Sequence, residues 1–562
     1  MKRLKKILAV MVIATVMISS SGCDLIRAII GLYNAPSYEQ RQYVEPNKDE
    51  TDKLFNEIKE LCAETNKGNK ILTKRSAFMI KYTQAATSRI VAMLEYYNNV
   101  TDGDAKARAE RIDNYFNQLH NQALEMEKTI LQSSYAKLLT ETLGLGQDYA
   151  DGILNQTVKS DEVIALEARI SELENEYSTL TATPNASNYA EQMAKIFKEL
   201  IVTRNKIAKQ NTRTDGTTYS NYHEYAYDKV YSRKYTPEDA AVFRQAIKDN
   251  LYDVGKKLYD TSDNYITDEA RTAAINENGI KQFMPQIING TAESMLTNWN
   301  YMMSKGLYNF TISPNKYPNS FVIEFAQYGD GFMFINASGS LLSDLSTIVH
   351  EFGHYNAIFA TDENKEGSSS IYSIDLAETH SQAFELITLP TVKKVFESNN
   401  IGNVYTAYAD NLLLQSVWSM LSNSLFDEFE YTVYTADENA LTADYFENTF
   451  NEIWQKYWSL NKDGKPTYNY YDISHLFTSP SYCISYSVSM VFASEIWMSS
   501  TPVTDYLNVV SYGSGHYISD VAAAAGLSDP LKAETIANIA QNYKTQLKNI
   551  LGLSFGDGTF DA

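Results

Sequence analysis

Cysteine is scarce in this chain of 562 residues: Cys23, Cys62 and Cys483 are the 3 present. That excludes a disulfide framework of the kind that braces small secreted domains, so stability must come from a buried core. Positive charge is short as well. Against 69 aspartates and glutamates stand 48 lysines and arginines, a net charge of −21. So acidic a chain repels phosphate backbones, which excludes nucleic acid as a partner. It also gains nothing electrostatically from an anionic lipid surface. Histidine is rare, at 7 residues, so two histidines at a defined spacing carry weight.

What is present is ordinary for a folded protein: 44% hydrophobic and 21% charged residues, with length for a large core or two to three domains. Tyrosine is abundant, at 41 residues. Its flat ring and hydroxyl suit walls that hold peptides or sugars. The N-terminus has a basic start, Met1-Lys2-Arg3-Leu4-Lys5-Lys6, then an apolar run from Ile7 to Ile18. That run is too short for a comfortable membrane span and suits a secretory signal. Ser19-Ser20-Ser21-Gly22-Cys23 follows, small residues before a cysteine as in a bacterial lipobox, with Ser20 where leucine is usual. The expectation is a lipoprotein signal peptide over 1–23, acylation of Cys23, and a cell-envelope protein facing outside the cytoplasm. Residues 24–48, with Asn34-Ala35-Pro36 and Glu45-Pro46-Asn47, read as a tether.

From about 49 to 210 apolar residues recur three or four apart, as in Leu54-Phe55-Asn56-Glu57-Ile58, which predicts helices. Thr183-Pro184-Asn185 breaks two long ones into a hairpin over 161–210. Residues 211–240 are polar and tyrosine-rich. Thr236-Pro237 starts a further helix, with Thr236 as N-cap. Phe321–Phe325 and Phe332–Asn336 are β-prone runs joined by Tyr328-Gly329-Asp330-Gly331, a hairpin signal. After Gly339 the chain is helical again, and no fixed-period repeat is visible. The expected fold is mainly α with a small sheet beside the helix described next. Its helical region, 49–310, forms one wall, and 311–562 is the catalytic region with C-terminal helices.

Leu341 to Phe359 reads as one helix, capped by Ser343 or Asp344, with Leu345, Ile348, Val349 and Phe352 as its apolar positions. It contains His350-Glu351-Phe352-Gly353-His354. Residues four apart share a helix face, so both imidazoles can meet one ion. Zinc takes imidazole nitrogen and leaves one position for water in catalytic centres. Glu351, on the same turn, would accept the proton of that water as it attacks a peptide carbonyl. A third histidine six residues beyond His354 is excluded, because Ala357 and Ala360 occupy the positions that class requires. The remaining source is a glutamate on a later helix. Ser373 to Glu385 offers Glu378 and Glu385 on one face, after the polar stretch Thr361–Ser370, which lets that helix return antiparallel. Glu378 is the expected third ligand. Glu385, two turns on, could hydrogen-bond a ligand histidine, and His380 points elsewhere as a structural residue. A second region, Asp472 to Tyr486, places His475 ahead of Tyr482 and Tyr486 at helical spacing. Such donors suit a carbonyl oxygen that gains charge.

Taken in order, these segments resemble the M3 peptidases, the thimet oligopeptidase and oligoendopeptidase F group. Asp344 to His354 looks like that family's zinc helix, Tyr372 to Glu378 like the segment with its zinc glutamate, and His475 with Ser479 to Tyr486 like its distal histidine–tyrosine motif. The hairpin at 161–210 and Val510 to Gly515 fit more loosely. The resemblance implies a mostly helical zincin fold with a deep channel for short peptides and one zinc ion. It implies a strand at Phe332–Asn336 that pairs with substrate, the stretch Asn336–Ser340 along the bound peptide, and distal groups His475, Tyr486 and Tyr482 on the scissile carbonyl. Cys483 and Ser485 depart from the closely spaced tyrosines of that motif, and a lipid anchor departs from the family's many soluble intracellular members. The implied activity is hydrolysis of internal bonds in short oligopeptides. The alternatives are a lipoprotein that binds peptides without cutting them, and a zinc peptidase of dipeptidyl or carboxypeptidase specificity.

Overall fold

The structure is a computed structural model that describes residues 35–555, apart from 156–159, 182–187, 214, 262–263, 363–364, 366, 368–371 and 462. The expected signal peptide and Cys23 lie outside the described residues. The principal helices in chain order are α1 (Lys48–Cys62), α2 (Gly68–Asn98), α3 (Gly103–Leu131), α4 (Asp161–Thr181), α5 (Tyr189–Lys209), α6 (Pro237–Thr261), α7 (Leu341–Ala360), α8 (Ile374–Ser398), α9 (Tyr405–Thr435), α10 (Ser474–Thr478), α11 (Cys483–Met498) and α12 (Ala533–Leu551). Among the described residues there is one sheet, of β1 (Tyr308–Asn309), β2 (Phe321–Phe325) and β3 (Asp330–Phe334). The protein is mainly helical with a small sheet, as expected. No described helix is long and apolar enough to cross a membrane.

The described chain divides into two units that interleave along the sequence rather than meeting once near residue 310. One takes the residues before 159, Ala274–Tyr372 and Val510–Gly515; the other takes the rest.

In the first unit α1, α2 and α3 pack around Ile58, Ile71, Phe78, Met126 and Ile130. Asn47 starts α1 by accepting the Glu50 N–H, which satisfies a donor the first turn leaves open. Arg75 of α2 and Glu127 of α3 form an ion pair of 2.7 Å inside this bundle, both side chains buried. The strand order is β1-β3-β2, with β1 parallel and β2 antiparallel to β3. The hairpin turn comes earlier than its sequence signal: residues 326–329 turn, Gly329 takes φ +62°, and Asp330 and Gly331 are already in the strand. Within the stretch expected as a tether, Ala35 and Arg41 are buried. Arg41 is buried and grips Asp330 at the head of β3 through two hydrogen bonds, 2.7 and 2.6 Å. Its guanidinium also lies over the rings of Phe325 (4.5 Å) and Tyr328 (4.3 Å).

In the second unit α11 is apolar or small on every face, which is the pattern of a helix surrounded by others. Ile484, Val488, Val491 and Phe492 are fully buried, and so are Leu413, Val417, Met420 and Phe429 of α9 beside it. Small side chains permit the close approach: Ser487 and Ser424 meet at 2.9 Å. The expected pair α4 and α5 is present, and Arg204 of α5 reaches Glu174 of α4 at 3.0 Å. Thr236 stands before the helix that Pro237 opens, and its hydroxyl accepts the Asp239 N–H at 3.3 Å. Cys62 and Cys483 are free thiols.

Candidate active site

The sequence-predicted residues fall into two sets, one in each unit. The first lies on α7. Ser340 stands at its N-cap position, not Ser343 or Asp344. Asp344 sits in the first turn and reaches back, accepting the N–H groups of Ser338 (2.9 Å) and Gly339 (2.7 Å). A carboxylate there also complements the positive end of the helix dipole. Leu345, Ile348, Val349, Phe352 and Tyr355 are fully buried, and each contributes about 2 kcal/mol by leaving water. Phe352 meets Trp299 edge-on at 5.6 Å, and a Cβ on Gly331 of β3 would come within 2.5 Å of Ile358 Cδ1. The helix is therefore seated tightly on β3. His350 and His354 stay half-buried on one face, with ring centroids 4.9 Å apart, and each offers a nitrogen within 4.8 Å of the other's. That spacing is compatible with two imidazoles meeting one ion. Glu351, between them in sequence, is buried.

The strand beside this helix differs from expectation. β3 ends at Phe334 and is the central strand, so its backbone already pairs with β2 on one side and β1 on the other. It is not a free edge onto which a peptide could add. The stretch Asn336–Ser340 is committed too. The Asn336 N–H goes to Ser320 Oγ, those of Ser338 and Gly339 to Asp344, that of Ser340 to Ser338 Oγ, and the Gly339 carbonyl accepts from Ile275. Lys316 was not singled out by sequence. It is buried, and its ammonium donates to Asn309 Oδ1 (3.1 Å), the Thr311 carbonyl (2.9 Å) and the Ile335 carbonyl. Burial pulls it down to about 8.

The second set gathers around Glu378. Ser373 caps α8 by accepting the Leu376 N–H, and Glu378 follows on the next turn, buried. Tyr482 donates its hydroxyl to Glu378 Oε1 at 2.7 Å, and Ser381 approaches Oε2 at 3.4 Å. The rings of His475, Tyr482 and Tyr486 form a triangle of 5.6, 5.7 and 5.1 Å between centroids. All three distal candidates thus stand together, with Tyr482 bound to the carboxylate. Burial lowers the His475 imidazole below its ordinary value, and the Glu378 charge only partly opposes this. Glu385 is half-buried two turns along α8, where its charge helps burial to raise the Tyr408 hydroxyl. His380 is buried, and its backbone carbonyl accepts from Tyr506 at 3.1 Å.

Sequence reasoning marked 211–240 as tyrosine-rich and gave it no role. Tyr231 lies edge-on to Tyr482 at 5.8 Å. Arg233 is stacked on Tyr227 (4.4 Å) and Tyr231 (4.6 Å), and donates to Ser485 Oγ at 2.7 Å. The density of tyrosine around a single arginine was the available signal. Ser481, just before Tyr482, takes φ +64°, a left-handed conformation that costs a side chain with a Cβ roughly 1–2 kcal/mol. Its partners come from residues far away in sequence, so no local pattern could announce it.

The chain was compared with known proteins. Residues 302–541 match the model of peptidase family M3. Group B oligopeptidase PepB of Streptococcus agalactiae serotype III (strain NEM316) is 29% identical over 208 residues, 35% of this chain and 34% of that protein. The chromosomal oligoendopeptidase F of Lactococcus lactis subsp. cremoris is 30% identical over 205 residues, 35% of this chain and 33% of that protein. The chain spans about a third of the length of these curated relatives. Among solved structures, PZ peptidase A with an inhibitor superposes with TM-score 0.68 at 16% identity, covering 91% of this chain and 99% of the other. Oligoendopeptidase F from Enterococcus faecium does so with TM-score 0.54 at 15% identity, covering 90% and 98%. At such identity these two establish the fold alone. Residues 302–541, which carry His350, Glu351, His354, Glu378, His475, Tyr482 and Tyr486, are thus the part of the chain that matches peptidase family M3, with oligopeptidases of the oligoendopeptidase F group as its relatives.

Proposed function

We propose that this protein is a zinc-dependent oligopeptidase that cuts internal bonds of short peptides. The observation that carries this reading is the turn from His350 to His354, two imidazoles 4.9 Å apart on one helix face with the buried Glu351 between them in sequence. Glu378 completes the ligand set. Two imidazoles and a carboxylate are a set of donors that suits zinc. Zinc bound there supplies Lewis acidity toward water and the scissile carbonyl. Glu351 accepts the proton of the attacking water and passes it to the leaving amine. His475 and Tyr486 donate hydrogen bonds to the carbonyl oxygen as its charge grows. Tyr482 holds Glu378 in place, and Glu385 orients a ligand histidine. The names of the oligopeptidase and oligoendopeptidase relatives support the substrate class.

The test is cleavage of a quenched fluorescent oligopeptide. Wild type is expected to cleave it, to stop on chelation and to recover with zinc. Glu351→Gln should lower kcat about a thousandfold with the fold intact. Unchanged turnover in that variant sinks the mechanism. A product map by mass spectrometry decides specificity: cuts confined to one terminus favour a dipeptidyl or carboxypeptidase, and tight binding without product favours the non-catalytic reading.

We place the protein at the bacterial cell envelope, anchored through acylated Cys23, on the strength of the basic start, the apolar run and the small residues before that cysteine. Cys23→Ala is expected to move it from the membrane fraction to the soluble one. Retention in the membrane would count against the anchor.

A further inference from the structure

The chain turns sharply between the residues that surround Glu378. α10 carries His475 and ends at Thr478, while α11 begins at Cys483, behind Tyr482. Ser481 stands between them in the left-handed conformation, fully buried. Three groups from distant parts of the chain hold this turn. The Tyr231 hydroxyl donates to the Pro480 carbonyl at 2.9 Å. The Ser481 N–H donates to Glu430 Oε1 of α9 at 2.8 Å. Ser481 Oγ lies 2.9 Å from His223 Nδ1, on the short helix Tyr222–Tyr225. Glu430 and His223 are both fully buried. Asp427, beside His223, is itself fixed by the Tyr227 hydroxyl at 2.6 Å and by Arg244.

We propose that Glu430 and His223, acting through Ser481, are positioning residues that set the Tyr482 phenol against Glu378; this rests on the peptidase reading of that carboxylate. A strained backbone conformation persists only where its surroundings over-determine it. Here the surroundings are two buried side chains that bind one residue, and that residue adjoins the tyrosine on Glu378. The turn links the helix of His475 to the helix of Tyr482 and Tyr486, so its angle fixes the triangle of rings. Removal of the acceptor for the Ser481 N–H leaves a buried donor unmet and frees the serine to relax toward the backbone it prefers. The phenol of the next residue then swings off the carboxylate.

The experiment uses the full chain and the variants Glu430→Ala, Glu430→Gln, Ser481→Ala and Tyr482→Phe, with kinetics on the fluorescent peptide and the rate of metal loss to EDTA. Glu430→Ala is expected to lower kcat about tenfold while KM moves less than about twofold. It should speed metal loss, as Tyr482→Phe does. Glu430→Gln keeps a carbonyl oxygen for the Ser481 N–H and should restore both. Combined with Tyr482→Phe, Glu430→Ala should add little, because both act through one contact. Ser481→Ala, which removes only the contact to His223, should show the same pattern more weakly and serves if Glu430→Ala does not fold. Equal impairment by Ala and Gln at 430, effects that multiply in the double variant, or a Ser481→Ala that matches wild type overturns the proposal. A wild type that cleaves nothing and holds no metal overturns the peptidase reading with it; an active wild type with multiplying effects overturns this proposal alone.

Discussion

The hydroxyl of Tyr482 gives its hydrogen to Glu378, so this residue acts on the carboxylate before it can act on a substrate. Loss of such a support typically costs ten- to a hundredfold in metal affinity. On the proposed ligand role of Glu378, Tyr482→Phe is expected to weaken zinc binding about tenfold, measured by chelator competition. Glu430 makes a separate prediction. Burial raises its carboxyl well above the ordinary value of 4.5; the Ser481 N–H, Arg204 and Arg233 oppose this and Asp427 adds to it. The folded protein thus keeps this proton to a higher pH than the unfolded chain. Below the unfolded value both states hold it and its contribution is full. Above that value the unfolded state binds fewer protons, and stability falls with rising pH until the folded carboxyl ionises. Glu430→Gln removes that loss. Its melting temperature relative to wild type should rise as the pH increases above about 4.5 in calorimetry. A gap that does not change with pH would show that the carboxyl is ionised in the folded protein.

At the scale of the element, α7 was legible because helical spacing ties burial to sequence: Leu345, Ile348, Val349 and Phe352 line one side and the two histidines another. Its cap was misread because Ser343 and Asp344 satisfy a local pattern, while the entering chain places Ser340 at the boundary and turns Asp344 back onto Ser338 and Gly339. The β3 strand was misread for a similar reason. Alternation predicts a strand without saying which strands flank it, and β1 is only two residues long, too short to show alternation. The tight seat of α7 on β3 gives a prediction. Gly331→Ala brings a Cβ to 2.5 Å from Ile358 Cδ1 and 3.3 Å from the Ile323 carbonyl, and should cost about 1 kcal/mol in denaturant unfolding. Ile358→Val in the same chain should recover part of it. A variant as stable as wild type would show that α7 can shift away freely.

For the whole molecule, the decisive contacts join residues far apart in sequence. Arg41 and Asp330 stand 289 residues apart and form a buried pair, with Tyr301 donating to the same carboxylate at 2.8 Å. Removing one partner strands the other charge in the interior. Arg41→Ala is expected to cost about 3 kcal/mol in urea unfolding. Arg41→Met with Asp330→Leu should recover much of that, since apolar replacements leave no charge behind. A loss below about 0.5 kcal/mol for Arg41→Ala would place this pair among weak surface bridges. The interleaving of the two units has the same origin. Each unit collects segments from several parts of the chain, so no single boundary in the sequence could mark it.

By itself the sequence determined the helical class and the turn His350 to His354 with Glu351. These depend on spacing along one helix or on a rare residue type, which are local quantities. Tertiary structure alone decided that His475, Tyr482 and Tyr486 meet around Glu378, that Tyr482 binds it, and that Ser481 is held by His223 and Glu430. It also decided that β3 is central and that Arg41 is buried rather than part of a tether. The physical reason is common to all of these. A buried polar group must find a partner, and the partner is set by which helices pack together, not by its distance along the chain. The tyrosine-rich stretch before residue 240 was visible as composition, but its purpose became visible only once Arg233 and Tyr231 stood against Ser485 and Tyr482.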